Sequence, residues 1–182
     1  MEIYTIEELQ YYIGMGEKVK YLYFWGHKEN GEKITKSCFS QWYELPFEYA
    51  GVYYLTAEHY MMAEKARLFR DDVALKKILA AKNPGEAKAA GREVRGFDLE
   101  LWLEKRFEIV VSGSLLKFKN PALKEFLLST GNRVLVEASP VDKIWGIGMA
   151  QDNEQVSNPF KWKGLNLLGF ALMKARTEMS RT

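Results

Sequence analysis

Helix starts punctuate this chain so regularly that they decide its class. "TIEE" at 5–8 reads as a capping box, with Thr5 as N-cap and Glu8 reaching back to it. Thr56 caps a run opening "TAEHYMMAEKA" that is expected to continue to about Arg70. Asn83-Pro84 ends the helix of "DDVALKKILAAK" and opens the next, because proline suits a first helical position whose N–H has no acceptor. Asp98 caps "FDLELWLEKRFEIVVSGSLLKF". Asn120-Pro121 repeats the device for "NPALKEFLLSTGN", with Gly131 as its stop, and "KGLNLLGFALMKAR" predicts an amphipathic closing helix. Strand signals are few: "VKYLYFWG" at 19–26, "RVLVEAS" at 133–139, and short pieces in the aromatic stretch around Pro46 and Gly51, with "KENGEK" at 28–33 as a turn. The expected class is mainly α (α+β), a helical bundle with a few short strands, in a single domain over 1–182.

Charge and cysteine content narrow the function classes. A formal net charge of +2 does not argue for nucleic acid, although it leaves room for a local basic patch. Cys38 is the only cysteine, which excludes an intramolecular disulfide. His27 and His59, far apart in the chain, make a poor basis for zinc, so no metal and no cofactor are expected. Neither a signal-like apolar run nor a span of membrane length is present, and a cytoplasmic protein without membrane association is the reading. The sequence leaves oligomeric state open.

Within the Thr56 helix, Glu58 and Lys65 lie seven residues apart, almost two turns, and point the same way among Ala57, Met61 and Ala66. One reading is a favourable first-turn carboxylate and a solvated amine. The other is a pocket in which apolar neighbours desolvate the lysine, lower its pKa and make it a nucleophile toward a sugar carbon. His59 points off this line and reads as structural. In "DKIWGIG" at 142–148, Asp142 is an acid–base or hydroxyl-holding candidate, Trp145 a stacking ring, and Gly146 and Gly148 allow close backbone approach. A tight turn around a buried tryptophan is the equal alternative. "CFSQW" (38–42), "GREVRGF" (91–97), Trp102 and "SNPFKWKGLN" (157–166) set polar or cationic groups beside aromatics, and Arg92 is a phosphate candidate.

Together these stretches resemble the NADAR (NAD- and ADP-ribose-associated), or YbiA-like, N-glycosidase family over roughly residues 20–178. The resemblance rests on "FS" at 39–40, "EHYMMAEKA" at 58–66, "GR" at 91–92, Trp102, "DKIWGIG" and "GLNLLGFALM" at 164–173. It implies a YbiA-like, mainly helical single-domain fold and hydrolysis of a ribose–base N-glycosidic bond. Lys65 would attack the anomeric carbon and form a Schiff base, with Glu58 and Asp142 completing the catalytic set. Ser40, Gln41, Arg92, Trp102, Trp145, Gly146 and Gly148 would bind substrate. The implied partner is ADP-ribose or a phosphoribosyl-containing small molecule, with ADP-ribosylated DNA as an extended form. Removal of ADP-ribose from guanine is the leading expectation. The alternatives are cleavage of phosphoribosylamino-pyrimidine intermediates of riboflavin synthesis and a non-catalytic ADP-ribose-binding module. Where many relatives have "FSNF", this chain has Phe39-Ser40-Gln41-Trp42, and a long segment separates Gly148 from Gly164. Both departures bear on substrate choice.

Overall fold

A computed structural model describes residues 2–28 and 33–181. Within "KENGEK", residues 29–32 lie outside the described residues. The described elements are helices α1 (Ile6–Gly14), α2 (Ala57–Leu68), α3 (Asp72–Leu79), α4 (Pro84–Arg92), α5 (Leu99–Lys117), α6 (Pro121–Ser129) and α7 (Leu167–Ser180), and strands β1 (Tyr21–Phe24), β2 (Phe47–Tyr49), β3 (Val52–Tyr54) and β4 (Val134–Glu137). The architecture is α+β and mainly helical. The chain divides into two compact units, one of residues 41–120 and one of residues 1–40 with 121–182.

In the 41–120 unit the predicted caps start the helices. Thr56 Oγ1 accepts from His59 N, Asn83 Oδ1 from Glu86 N and Asp98 Oδ1 from Leu101 N. Each bond satisfies one of the N–H groups that a helix start leaves without a partner, at about 1 kcal/mol per cap. α2 stops two residues short of the predicted Arg70, because Arg70 turns left-handed at φ 55° and Asp71 begins the next element. Asp71 caps α3 through Val73 N and Ala74 N and also takes Arg95 N, Nε and NH2. Those donors hold its carboxyl well below the usual range. α2 is buried over most of its circumference (Ala57 to Ala63, then Ala66) and packs on α3, α4 and α5. Two glycines permit that centrality. A Cβ at Gly113 would lie 2.8 Å from the Tyr60 ring, and one at Gly91 would lie 2.1 Å from Met62 Sδ. The hairpin β2–β3 pairs Phe47 with Tyr54, whose rings, at 5.6 Å, cover the start of α2 together with Tyr60.

In the other unit, the capping box forms as predicted: Thr5 Oγ1 accepts from Glu8 N, and Glu8 Oε2 from Thr5 N. β1 and β4 make a two-stranded parallel sheet in the register Tyr21↔Val134 to Phe24↔Glu137. Nothing local in the sequence announces this pairing. β4 is buried from Val134 to Val136, and α7 lies against it. α7 is not the amphipathic helix expected. Leu168 to Met173, Ala175, Arg176 and Met179 are buried, as in a central helix. Each large apolar side chain so buried contributes about 1.5–3 kcal/mol. Among the described residues no helix is long and apolar enough to cross a membrane.

Candidate active site

α2 carries the pair that the sequence aligned, and its packing decides what each can do. Glu58, in the first turn, is only 3% exposed, and its N–H donates to Gln41 O at 3.0 Å. Gln41 is itself buried, so the residue that replaces the common Asn is anchored beneath the helix start by its backbone. Lys65, at the far end, is half-buried. Its Nζ donates to Gly91 O at 2.8 Å and lies 4.6 Å from the Phe97 ring centroid and 5.5 Å from that of Trp102. Burial, then repulsion from Arg92, lowers its pKa from the ordinary lysine value. The solvated-amine reading of Lys65 is therefore replaced by a boxed amine, on one side a carbonyl and on the others two aromatic faces.

The carbonyl arrives there through packing. Gly91 is the residue whose missing side chain lets α4 close on Met62 of α2, and the same approach sets its oxygen against Nζ. Arg92, exposed at the last position of α4, supplies positive potential beside the box. His59 serves the fold. Nε2 donates to Ala81 O at 3.2 Å, since a carbonyl only accepts, and Nδ1 takes the Thr56 hydroxyl at 2.8 Å. Burial depresses its pKa, which keeps the ring neutral.

The remaining candidates lie in the unit of residues 1–40 and 121–182. Ser40 ends a 3-10 turn at Lys36–Phe39, its N–H donating to Ser37 O. Asp142 shapes its own loop. Oδ1 accepts from Ile144 N and Trp145 N, both at 2.8 Å, while its backbone accepts from Gly148 N. Trp145 is half-exposed, and its carbonyl accepts from Leu168 N at 3.1 Å. The space at Gly146 is taken by the chain itself, since a Cβ there would meet Glu137 O at 2.8 Å. Gly148 adopts φ 63°, with Lys143 and Lys163 alongside. Both glycines therefore serve close packing within this loop. Asn166 completes the arrangement: it is fully buried and left-handed, and its side chain takes Glu137 N and gives to Leu135 O, each at 2.9 Å.

Lys65, Glu58, Gln41, Arg92 and Trp102 thus share one unit; Ser40, Asp142, Trp145, Gly146 and Gly148 share the other. Sequence reasoning missed Phe97, the Gly91 carbonyl and Asn166. "GREVRGF" contains the first two, and the signal was an aromatic following the left-handed Gly96. Among the described residues no group of three His, Cys, Asp or Glu side chains gathers to hold a metal ion.

Comparison with known proteins gives the family and the class of reaction. An N-glycosidase of Acanthamoeba polyphaga mimivirus is 44% identical over 168 residues, 89% of this chain and 98% of that protein. A chloroplastic riboflavin biosynthesis protein of Arabidopsis thaliana is 38% identical over 57% of this chain, but only 16% of its own length. The NMR structure of the Escherichia coli protein YbiA superposes with TM-score 0.72 at 23% identity, over 91% of this chain and 88% of that one, which establishes a shared fold. The class is that of hydrolases acting on N-glycosyl bonds. With the NADAR domain profile matching residues 23–180, the chain belongs to the NADAR family.

Proposed function

We propose that this N-glycosidase removes ADP-ribose from guanine, in DNA or a nucleotide, with Lys65 as nucleophile. The observation that carries the reading is the environment of the Lys65 amine: partly desolvated, beside Arg92, and held by the Gly91 carbonyl. A lysine in such surroundings keeps a larger neutral fraction near neutral pH than a solvated one. The amine attacks the anomeric carbon, the C–N bond to the base breaks, and the base leaves with a proton. Ring opening gives a protonated Schiff base. Water then adds to the imine carbon, the amine is expelled, and the free sugar leaves. One water is consumed in all. Glu58, buried on the same helix face, is assigned the proton transfers. Trp102 and Arg92 are assigned to the substrate's ring and phosphates, and Ser40, Gln41 and Trp145 to its binding.

Asp142 is assigned a positioning role, because one carboxylate oxygen already takes two backbone N–H groups. Gly146 and Gly148 are likewise assigned to loop shape. A second substrate reading, a phosphoribosylamino-pyrimidine, is favoured by the similarity to the riboflavin biosynthesis protein. A purely binding module has no use for a boxed amine of lowered pKa.

Free ADP-ribose exposes an open-chain aldehyde and provides the test. Incubation with cyanoborohydride, followed by peptide mass spectrometry, is expected to place the adduct on Lys65. Lys65→Ala is expected to abolish both adduct and turnover while the fold is retained. Scattered labelling of surface lysines, or full turnover by the variant, would defeat the Schiff-base proposal. Preferential trapping with ribose 5-phosphate would move the substrate to the riboflavin-type reading.

A further inference from the structure

The unit of residues 1–40 and 121–182 contains a concave feature that no step above uses. An open cleft of about 750 Å³ is lined by Tyr12, Lys18, Lys20, Asn132 and Arg133, with Val19 and the Ser129–Gly131 turn completing it. No carboxylate lines it. The fold forces its cations together. β1 and β4 begin side by side with Tyr21 opposite Val134, and Val134 N donates to Lys20 O at 2.8 Å. Lys20 and Arg133, the residues just before those strands, therefore enter the sheet as neighbours. Like charges at neighbouring strand positions are unfavourable unless something offsets them.

Beneath them lies a further cation. Arg176 of α7 is only 7% exposed, and its guanidinium donates to Thr130 Oγ1 at 2.7 Å and Arg133 O at 2.9 Å, both neutral acceptors. Buried charges ordinarily pair with an opposite charge. None of the ion pairs among the described residues includes Lys18, Lys20, Arg133 or Arg176. Repulsion from Arg133 adds to burial in lowering the pKa of Arg176, which measures the same crowding. In a chain whose net charge is only +2, this is a local excess rather than a general one.

We infer that the cleft binds the phosphodiester backbone of a single-stranded nucleic acid. Lys18, Lys20 and Arg133 contact successive phosphates, Asn132 offers an amide donor, and Tyr12 offers a ring on which a base stacks. A concave wall suits a strand better than a flat bilayer. The inference stands on the cleft alone and needs no particular reaction at Lys65.

The test is fluorescence anisotropy with a labelled oligonucleotide of about 20 nucleotides, titrated across a salt series. Three exposed cations predict a shallow dependence, log Kd against log salt rising with a slope of about 2, at about 0.7 per phosphate on a single strand. Lys18→Gln/Lys20→Gln removes two surface charges; it is expected to lower the slope by about 1.4 and weaken binding at low salt. The double variant is expected to trap ADP-ribose at Lys65 as the parent does. Lys65→Ala is expected to bind the oligonucleotide normally, so failure of the cleft and failure of the lysine chemistry give different results. Three outcomes would overturn the inference: no binding at low salt, equal binding by the double variant, or displacement of the strand by tripolyphosphate at equal total charge. Capture of the protein by anionic vesicles in place of the oligonucleotide would also overturn it, and would reassign the cleft to a membrane surface.

Discussion

Helix α2 and the 142–148 loop both carry an acid and an aromatic partner, yet they use their polar atoms in opposite ways. Beyond its first turn the backbone of α2 bonds within the helix, and the Lys65 amine is positioned by neighbouring elements. In the loop the backbone has no ladder of its own, so the side chain of Asp142 is spent on Ile144 N and Trp145 N. The fold of a regular helix does not depend on the side chain of an acid within it. An acid in a tight loop is first a structural necessity.

Substitutions can break or sharpen that contrast. Between the two acids the larger effect is expected at Glu58: Glu58→Gln keeps the size of the side chain and removes the ionisable group, and kcat is expected to fall roughly 10²–10⁴-fold without loss of Tm. A normal kcat would move the proton transfers elsewhere. At Asp142 the prediction inverts. Asp142→Asn retains the Oδ1 acceptor and is expected to keep most activity and stability, whereas Asp142→Ala leaves two N–H groups without that acceptor and costs about 1–3 kcal/mol in denaturant unfolding. A stable but inactive Asp142→Asn would make the carboxylate catalytic after all and erase the contrast. The smallest effect is a pH displacement. Arg92 repels the Lys65 ammonium, so Arg92→Gln is expected to raise the pKa of Lys65 and move the acid limb of kcat/KM to higher pH. A limb that stays in place would mean that Lys65 does not set it.

The same contrast explains what was legible in the sequence. Thr5, Thr56, Asn83-Pro84 and Asp98 mark helix starts because a cap is a local hydrogen bond within four residues. A third Asn-Pro, at 158–159, opens only a 3-10 turn at Pro159–Lys161, since Lys163 N is already bound to Ile147 O and holds the chain extended. Its fate depends on residues far back in the chain. Likewise β1 meets β4 across more than a hundred residues, and Asn166 reads as an ordinary loop residue until its side chain is seen clamped to β4. Glu58 and Lys65 were visible because helical periodicity alone aligns them. Phe97 and the Gly91 carbonyl were not, because only tertiary packing brings them to the amine.

The close contact of Gly91 with Met62 makes the Lys65 amine a strain gauge for the core. Its hydrogen bond, 2.8 Å long, is set by how tightly α4 rests on α2, and a widening of well under 1 Å would take it beyond hydrogen-bonding distance. Heat or a swollen neighbouring side chain is therefore expected to lengthen that bond before the molecule unfolds.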